Sequence, residues 1–116
     1  MESKSPKYLE DIRDAAAFIR QSSLGKTIDD YKRDRLLRQA VERNFEIIGE
    51  AVRRLERVDA ATAARIADIP QIIAFRNILI HGYDLIDHAQ VWHVIASSLP
   101  TLEADVVAIL KDASRD

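Results

Sequence analysis

The middle third of this chain carries the pattern that most limits its fold, a long run of apolar residues at helical spacing. They step by four, three, four and three positions: Val41, Phe45, Ile48, Val52 and Leu55. These steps put all five side chains on one face of an α-helix and suit near-parallel packing against another helix. A second row makes this face wider than one neighbour would need: Ala40, Ile47, Ala51 and Val58. We therefore expect a helix at the centre of a bundle or at a dimer surface.

The segment before this helix predicts one further helix and a second helix start. Residues 5–24 carry a single apolar stripe, with Ser5-Pro6 as the expected cap and first turn and Gly25 as the stop. Thr27, followed three positions later by Asp30, has the pattern of a capping box.

From Thr27 to Val58 only Gly49 interrupts a helical sequence. A continuous helix there would be about 48 Å long, whereas a compact domain of this size has a radius of gyration of about 13 Å. The molecule is therefore expected to be elongated, kinked or completed by a partner.

The second half of the chain is divided at Ile69-Pro70. Residues 60–68 predict a short helix that ends there, because a residue before proline avoids the helical region. Pro70 then begins a helix that runs to Ile80 or His81, with Gly82 as its stop.

A final helix follows Asp87, which predicts an N-cap. Its apolar stripe keeps one phase across Pro100, which favours one kinked helix over two. Trp92 flanks the stripe and is expected to fill the core or an interface. His88 and His93 lack neighbours at metal-ligand spacing and are expected at the surface or in a cap.

Composition agrees with a helical fold. There are only three glycines and three prolines in 116 residues, which leaves few places for hairpin turns, and no stretch alternates with a period of two. The prediction is a single all-α domain over residues 1–116, an up-and-down four-helix bundle with an additional short helix.

Several classes of protein are excluded by composition. The chain has no cysteine, so it has neither disulfides nor thiolate sites. No apolar run approaches the roughly 18 residues of a membrane helix, and we expect a cytoplasmic protein without a membrane segment. A net charge of -2 gives no overall attraction to nucleic acid, so RNA binding would need a local patch. Arg43, Glu46 and Glu50 have the spacing of exposed helix ion pairs.

Four polar residues stand out in the apolar segment near residue 80: Arg76, Asn77, His81 and Tyr83. Polar groups in such surroundings are either buried and paired or part of a site. On a helix, the five-residue step from Arg76 to His81 turns about 140° and rises about 7.5 Å, so the two side chains leave the axis in different directions. Asn77 and His81 share a face.

These residue types suit RNA cleavage without a metal or other cofactor. Histidine can exchange protons with the 2′-hydroxyl or the leaving 5′-oxygen because its ordinary pKa lies near neutrality. Arginine can stabilise charge on the phosphate, asparagine can orient the histidine, and tyrosine adds a hydroxyl. Because His81 is the one histidine of this motif, two facing chains would supply both the base and the acid.

The arginine-x4-histidine-x-tyrosine order resembles the signature of the HepT-like toxins, a branch of the HEPN superfamily. The similarity extends to residues 43–51, 75–77 and 80–84. It implies a dimeric, metal-independent endoribonuclease toxin acting on RNA, with Arg76 and His81 as the catalytic pair and Asn77 as the polar residue beside the arginine. It also implies a partner, an MntA-like nucleotidyltransferase antitoxin that transfers AMP to Tyr83.

Two alternatives remain open from the sequence. The chain could be a non-catalytic HEPN module that binds a nucleotidyltransferase or its nucleotide. Alternatively, Arg76 and His81 could form a buried hydrogen-bonded pair with a purely structural role.

Overall fold

A computed structural model describes residues 1–115 and shows them folded into α-helices without any β-strand. Six helices occur in this part of the chain: α1 (Ser5–Ser23), α2 (Ile28–Arg33), α3 (Arg35–Val58), α4 (Ala60–Ala63), α5 (Ile69–His81) and α6 (His88–Ala113). The predicted all-α fold is confirmed, with α1, α3, α5 and α6 as the main helices and α2 and α4 as short ones.

The α1 and α3 helices pack along each other at the centre of the molecule. α5 packs on α3, and α6 packs on α1. The predicted seam of α3, from Val41 to Leu55, is buried against these neighbours. α5 and α6 are not among the closely packed helix pairs of residues 1–115, so one side of the bundle stays open as a cleft. The described chain measures 45 × 29 × 19 Å and is therefore elongated, as expected.

The helix predicted from Thr27 to Val58 is interrupted at Asp34. This residue has an extended backbone, and its side chain accepts a hydrogen bond of 3.0 Å from the Leu37 N–H. An aspartate that caps the next helix competes with continuation of the previous one. The sequence left open whether this segment is continuous or kinked, and the structure shows a break at Asp34 that the sequence reasoning did not locate. The capping box of Thr27 and Asp30 at the start of α2 is confirmed.

Asp59 connects the end of α3 to the N-terminal segment. It accepts hydrogen bonds from the Glu2 N–H at 3.0 Å, the Ser5 hydroxyl at 2.7 Å, and the Thr62 N–H and hydroxyl at 3.1 and 2.7 Å. The predicted role of Ser5 as an N-cap is wrong: α1 already includes Ser5, whose buried hydroxyl binds Asp59 instead.

The short helix predicted over residues 60–68 ends earlier than expected, at Ala63. The following turn closes at Asp68, which has a left-handed backbone with φ of 63°. That conformation stops helical continuation, and Asp is one of the few residues that tolerate it. α5 then starts at Ile69, with Pro70 in its first turn as predicted.

α6 runs unbroken through Pro100, as the phase of its apolar stripe predicted. Asp87 caps it, accepting hydrogen bonds from the backbone of Ala89 and Gln90. By length and composition alone, α6 is the one helix within residues 1–115 that could cross a membrane. A single such helix is weak evidence, and α6 buries one face against α1.

Aromatic side chains close the end of the bundle where α2 meets α6. Tyr31 is fully buried, with the Trp92 ring 5.4 Å and the His88 ring 6.2 Å from its own. Trp92 therefore packs against the core, as predicted. His88 is half-buried at the first turn of α6, and His93 is exposed.

Candidate functional site

The four predicted site residues lie where α5 ends. α5 is held on α3 by buried apolar residues and by an edge-on contact of the Phe75 and Phe45 rings at 5.1 Å. It ends at His81, because the backbone of Gly82 leaves the helical conformation. The Gly82 N–H still makes the last helical hydrogen bond, to the Ile78 carbonyl at 2.9 Å. Tyr83 consequently lies in the turn after α5 and not on the helix itself.

Arg76 points toward α3 and is largely covered, with 18% of its side chain exposed. One terminal nitrogen donates to Glu50 Oε2 and the other to Asn77 Oδ1, both at 3.0 Å. Within the described residues, its buried Nε has no hydrogen-bond partner. Asn77 thus contacts Arg76, whereas the sequence favoured a role in orienting His81.

Gly49 allows α3 and α5 to cross closely at this point. A Cβ atom on residue 49 would lie 2.4 Å from Arg76 Cβ and 2.5 Å from Arg76 Cγ, both far below ordinary contact. The glycine therefore makes room for the stem of the arginine side chain.

Glu50 bridges two arginines. Its Oε1 accepts a hydrogen bond from Arg54 Nε at 3.0 Å, while its Oε2 binds Arg76. The hydrogen bond from Arg54 and the charge of Arg76 hold the pKa of Glu50 below its ordinary value. The expectation of exposed pairing among Arg43, Glu46 and Glu50 is wrong for Glu50, whose contact with Arg76 the sequence reasoning missed. The one available signal in the sequence was Gly49, because a glycine inside a long helix can mark a close approach of another helix.

A polar pocket of about 240 Å³ surrounds this contact. Charged residues from three helices line it, three acidic and three basic: Asp11, Arg43, Glu46, Glu50, Arg54 and Arg76. Their formal charges cancel, so the pocket as a whole is not a basic patch.

His81 and Tyr83 are exposed on the outer side of the site. His81 lies in the last turn of α5, and its side chain makes no hydrogen bond within residues 1–115. Tyr83 is 82% exposed. The structure therefore does not join Arg76 and His81 in one chain, and the alternative of a buried hydrogen-bonded pair is wrong.

Apolar surface flanks His81. Ile78, Tyr83 and Leu85 are three of the large exposed hydrophobic residues of the molecule. On the other side of α5, the cleft toward α6 has a volume of about 300 Å³ and a mainly apolar lining that includes Phe45, Ile72, Phe75, Val94 and Leu99. Exposed apolar side chains and apolar clefts of this kind are typical of sites where another protein docks.

No group of three or more histidine, cysteine, aspartate or glutamate side chains in residues 1–115 is arranged to hold a metal ion.

Comparison with known proteins identifies the family. The family model described as ribonuclease HepT-like matches residues 12–109. A candidate RNase of Caldanaerobacter subterraneus subsp. tengcongensis is 32% identical, over 93% of this chain and 96% of the relative. A candidate ribonuclease HepT of Thermococcus cleftensis is 29% identical, over 89% of this chain and 93% of the relative.

A Methanocaldococcus jannaschii protein named as a gamma-glutamylcyclotransferase and candidate RNase is 29% identical over 94% of this chain, which spans about half (49%) of that relative. No solved structure shows a significant match. Because the family model covers most of the chain and its helical fold is the expected one, this chain belongs to the HepT-like ribonuclease family.

Proposed function

We propose that this chain is the cytoplasmic toxin of a toxin–antitoxin pair, a single-domain endoribonuclease that cleaves RNA without a metal through Arg76 and His81. The observation that carries the proposal is the arrangement at the end of α5, in a member of a ribonuclease family. A fixed guanidinium and an exposed histidine lie within two helical turns of each other, and these are the types of group that phosphate binding and proton transfer require.

The reaction that fits these groups is attack of the ribose 2′-oxygen on the adjacent phosphorus. One His81 removes the 2′-hydroxyl proton, the new P–O bond forms, and the bond to the 5′-oxygen breaks. A second His81 donates a proton to that leaving oxygen. Arg76 stabilises the negative charge that builds on the phosphate oxygens. The products are a 2′,3′-cyclic phosphate and a 5′-hydroxyl end.

This chemistry needs a homodimer. His81 is the one histidine in the motif, and base and acid are needed on opposite sides of the phosphorus. The exposed apolar residues near His81 in the chain, Ile78, Tyr83 and Leu85, support a second chain docking at the end of α5. In such a dimer the two copies of the motif would face one another.

An MntA-like nucleotidyltransferase would silence this site by transferring AMP to Tyr83. The high exposure of Tyr83 supports access by such an enzyme. An AMP group there, two residues from His81, would bring a bulky anion to the site and repel the substrate phosphate.

Expression without a partner tests the toxin proposal. Wild-type protein should arrest growth, whereas His81→Ala and Arg76→Ala at equal protein levels should not. Equal growth of all three strains, with soluble protein in each, would reject the proposal.

The second candidate is a non-catalytic HEPN module that binds a nucleotidyltransferase or its nucleotide. It is favoured by one observation, the pairing of Arg76 with Glu50 away from the exposed His81. This function predicts a tight complex with the nucleotidyltransferase, no toxicity of the chain alone, and no effect of Arg76→Ala on growth.

A further inference from the structure

Arg76 is fixed at two points of its guanidinium plane. Glu50 Oε2 accepts from one terminal nitrogen and Asn77 Oδ1 from the other, each at 3.0 Å. A guanidinium has five N–H donors in a rigid fork. Two of them are used here and the Nε donor is buried without a partner, so one N–H on each terminal nitrogen remains for a phosphate oxygen.

The stem of the same side chain is fixed by packing. It passes over Gly49, where no Cβ could be accommodated, and only 18% of the side chain is exposed. The Arg76 side chain cannot move away from the surface of α3 without losing both this packing and its two hydrogen bonds. The side chain is therefore held in one orientation before any RNA arrives.

Glu50 is itself held from the opposite side. Arg54, one turn later on α3, donates to Glu50 Oε1 at 3.0 Å. Each carboxylate oxygen thus has its own guanidinium partner, and the carboxylate cannot rotate freely. A chain of contacts runs from Arg54 through Glu50 to Arg76.

We propose that Glu50 is the positioning residue for Arg76, holding its guanidinium in the plane in which the two remaining N–H groups meet the phosphate. Gly49 provides the space that this orientation requires. The inference rests on the proposed ribonuclease function and adds to it a residue outside the arginine-histidine-tyrosine motif. The contact between Arg76 and the phosphate is strongest when charge develops on the phosphate in the transition state. Loss of Glu50 should therefore lower kcat more than it raises KM.

The test compares Glu50→Ala, Glu50→Gln and the control Glu56→Ala with wild type in steady-state RNA cleavage with chelator present. Glu50→Ala should lose about 10- to 100-fold in kcat, as expected for a misplaced binding group, with little change in KM. Glu50→Gln keeps an oxygen that accepts the same hydrogen bond and should recover part of the loss. Glu56 lies on the same helix, is exposed and does not line the polar pocket, so Glu56→Ala should behave as wild type.

A spectroscopic measurement reports, without turnover, whether the Arg76 side chain keeps its buried orientation. The side-chain Nε–H of Arg76 is buried, and its resonance can be assigned by its absence in Arg76→Lys. It should exchange slowly with solvent in wild type and in Glu56→Ala and rapidly in Glu50→Ala. Urea midpoints of all variants show whether the fold is intact, and Glu50→Gln carries the test if Glu50→Ala does not fold.

The outcomes distinguish failure of the positioning role from failure of the proposed ribonuclease function. If wild type cleaves RNA and neither Glu50 variant differs from it, or if Glu56→Ala loses as much as Glu50→Ala, the positioning role is wrong and the ribonuclease function stands. If wild type cleaves no RNA, the proposed function is wrong, and the positioning role for catalysis is overturned with it.

Discussion

Replacing Gly49 by alanine probes the contact between α3 and α5 on which the site depends. The new Cβ would lie 2.4 Å from Arg76 Cβ, whereas ordinary contact begins at 3.4 Å, so the gap to be opened is 3.4 minus 2.4, or 1.0 Å. Overpacking of this kind costs about 1–3 kcal/mol, and the gain in helix propensity from glycine to alanine offsets about 0.8–1 kcal/mol of that cost. We expect a net loss of about 1 kcal/mol in the free energy of unfolding, measured by urea denaturation.

The same displacement should lower the rate of RNA cleavage strongly, although its effect on the free energy of unfolding is small. A shift of about 1 Å in a group that contacts the phosphate can cost about 100-fold in rate. RNA cleavage by Gly49→Ala should therefore fall by about that factor under conditions where the variant is fully folded.

Arg76→Gly provides the matched background, since it removes the Cβ and Cγ atoms, the two that the new Cβ would approach more closely than ordinary contact. In that background Gly49→Ala should be neutral or stabilising by up to about 1 kcal/mol. A Gly49→Ala protein that is more stable than wild type and cleaves RNA at the normal rate would refute the reasoning.

Three further predictions concern the dimer, the modification and the response to acid. Mixing one part wild type with nine parts His81→Ala should reduce activity per wild-type chain about tenfold if each site needs both histidines; constant activity per wild-type chain would contradict a shared site. Tyr83→Phe incubated with the antitoxin and ATP should gain no AMP by mass spectrometry, and undiminished AMP would exclude Tyr83 as the acceptor. Hydrogen bonds from Thr62, Glu2 and Ser5 hold the pKa of Asp59 well below its ordinary 3.8, so their stabilising effect is present above that pH and is lost as the pH falls through the lowered pKa. Asp59→Asn should therefore unfold more easily than wild type at pH 7, and the difference should shrink below pH 3.8; a difference independent of pH in urea titrations would contradict this role.

Local patterns predicted the helices well because periodicity and capping depend on neighbours along the chain. The α3 seam, the capping box at Thr27 and the unbroken course of α6 through Pro100 are all determined this way. The same local rules did not locate the break at Asp34. The sequences of α2 and α3 on either side are both helical, and the role of Asp34 as the N-cap of α3 was missed.

Contacts between distant residues could not be predicted in this way. Ser5 has the sequence of an N-cap, but its hydroxyl binds Asp59, 54 positions away. Glu50 has the spacing of a surface ion pair, but it reaches Arg76, 26 positions away, across a crossing that Gly49 permits. Such pairings depend on how helices cross, and a single sequence carries no direct record of that geometry.

The different directions of Arg76 and His81 were predictable from the 140° turn between them. The covered state of the arginine and the exposure of the histidine required the packing of α5 on α3. Local sequence therefore specifies the directions of the two side chains, and packing against α3 specifies how exposed each one is.

RNA cleavage in the presence of a chelator, with wild type and His81→Ala purified in parallel, tests the central claim most directly. Transfer RNA and total RNA serve as substrates, and urea midpoints confirm that both proteins are folded. The account predicts that wild type generates fragments with 2′,3′-cyclic phosphate ends and that His81→Ala generates none. Intact RNA with folded wild-type protein, or equal cleavage by His81→Ala, would contradict it.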